Sequence, residues 1–193
     1  DSDALKTLDS GQLPTEEVSD LIQDHTNYFH ELEQGSEKIR REASLDGEDL
    51  FQGLVRYLEA HHGIRVRIQK VNSMRGATRR YDKDKRILHL SELLRRGSRN
   101  FQLAHQVGLV TQSETIEKIS KDHSLTTSGS RKLARVALAN YFASAMLMPY
   151  EQIIDAARAE RYDIELLGHR FRCSFEQICH RLTSLRRPGN EGI

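Results

Sequence analysis

At Gly63 the hydrophobic period of the chain changes, and no other feature constrains its fold as much. Before that point Leu50, Phe51, Leu54, Val55 and Leu58 recur at helical spacing. After it, Ile64-Arg-Val-Arg-Ile68 alternates apolar and basic residues, the period of a strand with one buried face. Arg86-Ile-Leu-His-Leu90 repeats that pattern, Gly76-Ala-Thr-Arg-Arg-Tyr81 does so more weakly, and Asp82-Lys-Asp-Lys85 between them reads as a hairpin loop. The fold class that follows is α+β and mainly helical. One small antiparallel sheet is predicted from residues 64–69, 76–81 and 86–90.

The rest of the chain reads as helix. Pro14-Thr-Glu-Glu-Val opens one, with Thr15 as cap, acidic residues at the positive end of the dipole, and Val18, Leu21 and Ile22 as its apolar stripe. It is predicted to run to Leu32 and to break at Gly35. Asp46 or Gly47 opens the next, which closes at Gly63. Ser91 or Ser98 caps the helix that contains His105. An Ala-rich helix from Ala134 to Met148 stops at Pro149. Helices over 151–159, 164–171 and 175–185 follow, and residues 186–193 read as a loop. The organisation expected is an N-terminal helical linker over 1–47, a central ligand-sensing domain over 48–160 and a C-terminal helical segment over 161–193.

The net charge of +1 conceals an asymmetry. Residues 1–50 carry four Lys/Arg against fourteen Asp/Glu, whereas residues 65–100 carry twelve against three. The second block is either a solvated face or a site for phosphates, nucleic acid or the acidic segment itself. No apolar run approaches the ~20 residues that span a bilayer, so no membrane partner is expected. Cys173 and Cys179 form no metal motif and no disulfide framework, which points to a reducing cytoplasm. The chain starts at Asp1 rather than Met, so it reads as part of a longer protein.

Phe101-Gln-Leu-Ala-His-Gln-Val-Gly-Leu109 has the frame of a zinc-peptidase helix without its chemistry. His-Glu-x-x-His places two imidazoles on one helical face with a Glu to take a proton from water. Here Gln106 stands in the Glu position and Leu109 in that of the second His. A turn before Asn140, where a third acidic ligand belongs, stand Arg135, Val136 and Ala137. The reading is therefore of no enzyme and no metal site, an active metallopeptidase with displaced ligands being the remote alternative.

Together with Gly63-Ile, Gly76-Ala, the 86–90 stretch and Ala139-Asn-Tyr-Phe-Ala-Ser-Ala-Met-Leu-Met-Pro149, that helix resembles the ImmA/IrrE family, compact zincin-like domains of bacterial regulators. Ser174-Phe-Glu-Gln-Ile-Cys-His-Arg-Leu-Thr-Ser-Leu-Arg-Arg-Pro-Gly189 adds a narrower likeness. It resembles the PrpR/RamB-like short-chain acyl-CoA-responsive transcription regulators of propionate and acetate use. The resemblance implies a degenerate zincin-like domain that binds CoA or a short-chain acyl-CoA and assembles as a dimer or tetramer. It implies DNA contact through an XRE-type helix-turn-helix ahead of this chain. An iron–sulfur cluster is implied only for a cysteine-containing region beyond Ile193, and Cys173 and Cys179 do not match its motif.

Six residues are candidates for that ligand. Arg79, Arg80 and Arg86 offer guanidinium forks to the phosphates of CoA, and Tyr81 offers a ring to stack on adenine. Strand alternation sends Arg79 and Tyr81 to one face and Arg80 to the other, so not all serve one ligand. His105, a lone histidine, reads first as a packed core residue and second as a pocket wall. Phe142, with Met146, Leu147 and Met148, suits either plain core or an adaptable cavity. The stripe Phe175, Ile178, Leu182, Leu185 reads as core or subunit interface, with His180 and Arg181 as its polar flanks. The rival function is a nucleic-acid-binding module using the basic block directly, which without a reading helix would bind non-specifically.

Overall fold

The computed structural model describes residues 2–45 and 49–192. The helix start expected at Asp46 or Gly47, and the boundary expected at 47/48, lie outside the described residues. Helix α1 (Ser2–Asp24) is followed by α2 (His30–Glu42) and α3 (Leu50–His62). Strand β1 (Arg65–Gln69), one turn of helix α4 (Val71–Met74), and strands β2 (Arg79–Asp82) and β3 (Ile87–Ser91) make the sheet. The helices α5 (Arg96–Thr111), α6 (Ser113–Ile119), α7 (Ser128–Leu147), α8 (Tyr150–Ala159), α9 (Ile164–Phe171) and α10 (Phe175–Thr183) come next. Strands β4 (Arg186–Arg187) and β5 (Asn190–Glu191) close the chain.

The mainly helical class and the place of the sheet are as expected, but its pairing differs. The strand order is β1-β3-β2, with β1–β3 parallel and β2–β3 antiparallel. The α4 turn carries the chain past the site of β3, so β2 lands on the far edge. The tight 83–86 turn then returns β3 between the two, in the direction of β1. Alternation within a strand reports its buried face and says nothing about its neighbour.

Several helix limits and caps also differ from expectation. Pro14 lies within α1 rather than at its start, where its missing N–H removes one rung of the ladder. The helix ends at Asp24, because Thr26 and Asn27 both adopt left-handed backbone, φ 53° and 58°. That turn delivers Tyr28, Phe29 and Leu32 to the core, with Phe29 edge-on to Tyr141 of α7. Gly35 does not break α2; a Cβ there would lie 2.3 Å from the Gln112 side chain, so glycine allows the close approach. Neither Ser91 nor Ser98 caps α5, whose N-cap is Arg95 with no side-chain bond. α7 starts earlier than its Ala-rich stretch, at a Thr127–Ser130 capping box.

The core lies between the inner face of the sheet and helices α3, α5, α7 and α8, built on Leu54, Leu58, Leu88, Leu90, Leu103 and Phe142. Helices α5 and α7 make the most extensive contact in the fold. Ile178, Leu182 and Leu185 join this core, but Phe175 stays 69% exposed, because Ser174 caps α10 one residue before it and leaves its side chain outside. Residues 186–191 are not a plain loop: the β4–β5 hairpin is fixed by Arg187, whose guanidinium sits 4.1 Å above the Tyr150 ring and bonds Glu37 and Glu151. Among the described residues no helix is long and apolar enough to cross a membrane.

Candidate functional site

Strand register sorts the basic hairpin into two faces. Arg79 stands opposite Leu90 and Tyr81 opposite Leu88, both leucines fully buried, whereas Arg80 stands opposite His89. Arg79 and Tyr81 therefore share the inner face, and Tyr81 packs against the core. Arg80 is exposed on the outer face. The alternation expected from sequence holds.

Helix α5 brings His105 under the Arg79 side of the sheet. His105 is 4% exposed, and its Nδ1 lies 2.7 Å from Oδ1 of Asn140 on α7. With that oxygen as acceptor, Nδ1 carries the proton, and Nε2 is left as a lone-pair acceptor. Nε2 is buried and unpartnered, and so is Nη1 of Arg79. Burial, then the nearby Arg79 charge, pushes the His105 pKa down to about 4 against the opposing bond from Asn140. Burial pushes Arg79 down to about 10. An acceptor and a charged donor thus sit close together with no partners, where each unmet polar group costs roughly 1–3 kcal/mol.

The other candidates are placed elsewhere. Arg86 is exposed, with left-handed backbone, and donates from Nη1 to the His62 carbonyl at 3.2 Å, closing the end of α3. Phe142 is fully buried against Gly108, within the main core. Met146 and Met148 are buried with it. Arg181, read as a flank, is 1% exposed and faces inward.

The donor set does not fit zinc. Gln106 is buried at 4% exposure, Leu109 packs in an apolar cluster, and no group of three or more His, Cys, Asp or Glu side chains converges among the described residues. Asn140 has a second environment. It lines a cleft of about 520 Å³ together with Phe29, Tyr141, Ser144, Gln177 and His180, between α7, α10 and the turn after α1. Sequence reasoning missed Asn140, although it lies within the Ala139–Pro149 run singled out for its pattern.

Comparison with known proteins fixes the family. The family model of the IrrE N-terminal-like domain, Peptidase_M78, matches residues 59–183. The chain belongs to the IrrE N-terminal-like family. This IrrE-like chain is 40% identical over 181 residues to the HTH-type transcriptional regulator PrpR of Mycobacterium tuberculosis, covering 94% of the chain and 37% of that relative. It is 34% identical to the HTH-type transcriptional regulator RamB of the same species, over 94% of the chain and 38% of RamB. Its identity to the propionyl-CoA carboxylase regulator of Cereibacter sphaeroides is 32%, over 93% and 37%. The chain thus spans a little over a third of the length of these relatives. A solved structure of a Mycobacterium tuberculosis transcriptional regulator superimposes with a TM-score of 0.86 at 40% identity, over 93% of this chain and 54% of that one. The IrrE-like fold and the motif resemblance agree.

Proposed function

We propose that this chain is the ligand-sensing part of a bacterial transcription regulator of short-chain fatty acid metabolism and binds CoA or a short-chain acyl-CoA. The observation that carries the ligand site is the unpartnered Arg79 Nη1 beside the neutral, unpartnered His105 Nε2. A guanidinium whose buried Nη1 has no partner is held at a cost that an incoming anion or carbonyl oxygen removes. Arg79 receives such an oxygen, and His105 Nε2 accepts from a hydroxyl, an amide or a bound water. The names of the relatives, two HTH-type regulators and a propionyl-CoA carboxylase regulator, support the regulatory setting. DNA contact belongs to a helix-turn-helix outside this chain, and ligand acts by favouring one packing of a homo-oligomer over another. The IrrE-like scaffold serves here as a receptor and not as a peptidase, in the cytoplasm.

The test is calorimetric titration of CoA and propionyl-CoA into wild type, Arg79→Ala and Arg80→Ala. Charge-assisted bonds contribute roughly 1.5–3 kcal/mol, so Arg79→Ala weakens binding about ten- to a hundredfold. Arg80→Ala, on the other face, binds as wild type. Equal binding by all three, or none by wild type, removes this reading.

One observation favours a second reading, non-specific nucleic-acid binding. Arg67, His89 and Arg80 stand side by side across the outer face, in register on β1, β3 and β2. If that row grips a phosphate backbone, Arg67→Ala/Arg80→Ala lowers affinity for random duplex DNA and flattens its salt dependence.

A further inference from the structure

The N-terminal end of α5 is electrostatically uphill. Its first turn holds no acidic residue, no side chain caps it, and Arg95, Arg96 and Arg99 crowd the positive end of the helix dipole. Beside it opens a cleft of about 450 Å³ whose lining includes Arg40 from α2, Arg96 and Asn100 from α5, and Arg170 and Arg172 from the end of α9. Four arginines from three helices and a turn thus line one small space, with Asp49 as the sole carboxylate in its lining. We infer that this cleft is an anion site for the phosphate or pyrophosphate group of a small-molecule ligand.

Two of the four arginine side chains are held by hydrogen bonds. Arg40 Nη1 donates to the Met146 carbonyl at 3.0 Å, and Arg96 Nη2 to Asp49 at 2.7 Å. Arg170 has only a loose contact with Glu160, at 3.8 Å. Arg172 takes left-handed backbone at φ 55°, and its carbonyl lies where a Cβ on Gly97 would be, 2.2 Å away. That approach seats Arg172 against the first turn of α5.

Asn100 adds a polar side chain to the same wall, and no bond to its oxygen holds the amide as it stands. It is 9% exposed, lines the cleft, and its Oδ1 is buried with no partner. An anion in the cleft turns the amide so that Nδ2 donates to it, joining the N–H groups of the uncapped helix end and the forks of Arg170 and Arg172. A concave space of this size takes a phosphate ester rather than a duplex. If the ligand is the CoA proposed above, its phosphates are the group bound; that identification rests on the acyl-CoA reading, whereas the anion site does not.

The probe is inorganic pyrophosphate, titrated by calorimetry and by NMR into this chain and into Arg172→Ala and Arg170→Ala/Arg172→Ala. Both side chains are solvent-facing, so the variants fold. Pyrophosphate is expected to move the Asn100 side-chain amide signals, with affinity falling about tenfold per lost arginine. Unmoved Asn100 signals, or a double variant that binds as wild type, overturn the site. Displacement of pyrophosphate by a random duplex, and not by CoA, also overturns it by assigning the arginines to a nucleic-acid backbone. Failure here with intact CoA binding leaves the acyl-CoA reading standing; pyrophosphate binding at Asn100 without CoA binding leaves the anion site and removes that reading.

Discussion

Arg181 on α10 meets Glu33 on α2 through both of its terminal nitrogens, with neither side chain in contact with solvent. Nη2 donates to Oε2 at 3.0 Å, Nε to the Met148 carbonyl at 3.0 Å, and the Tyr141 hydroxyl to Glu33 Oε1 at 2.7 Å. Burial works against the Arg181 charge, but Glu33 outweighs it and the pKa is raised. One network therefore ties α2, α7 and α10 together around the Asn140 cleft.

Breaking that pair from one side strands a buried charge. Arg181→Met is expected to cost about 3–5 kcal/mol in urea denaturation. The double variant Glu33→Gln/Arg181→Met should lose clearly less than the sum of its single changes, because no charge is then left unpaired. Additive losses would mean that the two groups are solvated independently.

Arg79 should behave in the opposite way. Arg79→Met keeps the aliphatic stem and removes a half-buried guanidinium whose Nη1 has no partner, so the unliganded chain gains about 1 kcal/mol in thermal or urea unfolding. His105 then titrates at a higher pH, since the second cause of its depression is gone. Imidazole NMR titration reads the shift. A less stable variant with an unmoved His105 would place a partner for Arg79 inside the protein.

What the sequence disclosed and what it withheld divide by the range of the interaction. The strands near residues 65–69 and 87–91 were legible because period-two alternation is local, and so was the split of Arg79 and Tyr81 from Arg80. His105 was legible as a packed histidine, since its helix lacks the residues that would make it a ligand. The partnership of Glu33 with Arg181 spans 148 residues, and no local pattern announces it. Arg40, Arg96, Arg170 and Arg172 converge only after three helices pack, so the arginine-rich hairpin drew attention that the cleft at α5 equally merits. The end of α1 escaped because Thr26 and Asn27 carry no strong break signal, while Gly35, which does, answers to Gln112.

His105 also gives stability a pH dependence. Its folded pKa of about 4 lies below its ordinary 6.5. Between those values the unfolded chain binds a proton that the folded chain does not, so stability falls as pH drops from 6.5 toward 4. The share of His105 is on the order of 3 kcal/mol at most, at 1.36 kcal/mol per unit. His62 and His89, both lowered chiefly by burial, add in the same direction. His105→Gln should flatten the curve of unfolding free energy against pH over that window. A slope equal to that of wild type would show that His105 is solvated.

Gly97 sets the last expectation, because helix propensity and packing pull it opposite ways. Alanine in a helix is favoured over glycine by about 1 kcal/mol. A Cβ at Gly97, however, would sit 2.2 Å from the Arg172 carbonyl oxygen, a backbone atom that moves only if the turn between α9 and α10 moves. Overpacking of this kind costs about 1–3 kcal/mol, so Gly97→Ala should be destabilising on balance. It should also weaken pyrophosphate binding by shifting Arg172 away from α5. Gly129→Ala, in the first turn of α7, is the control. Its nearest contacts would be ordinary ones of 3.6 and 3.8 Å, to Thr127 and Pro14, and it should match or exceed wild type. Equal melting temperatures for the two alanine variants would mean that the α9–α10 turn does not press on α5, and Arg172 would then lose its seat in the cleft.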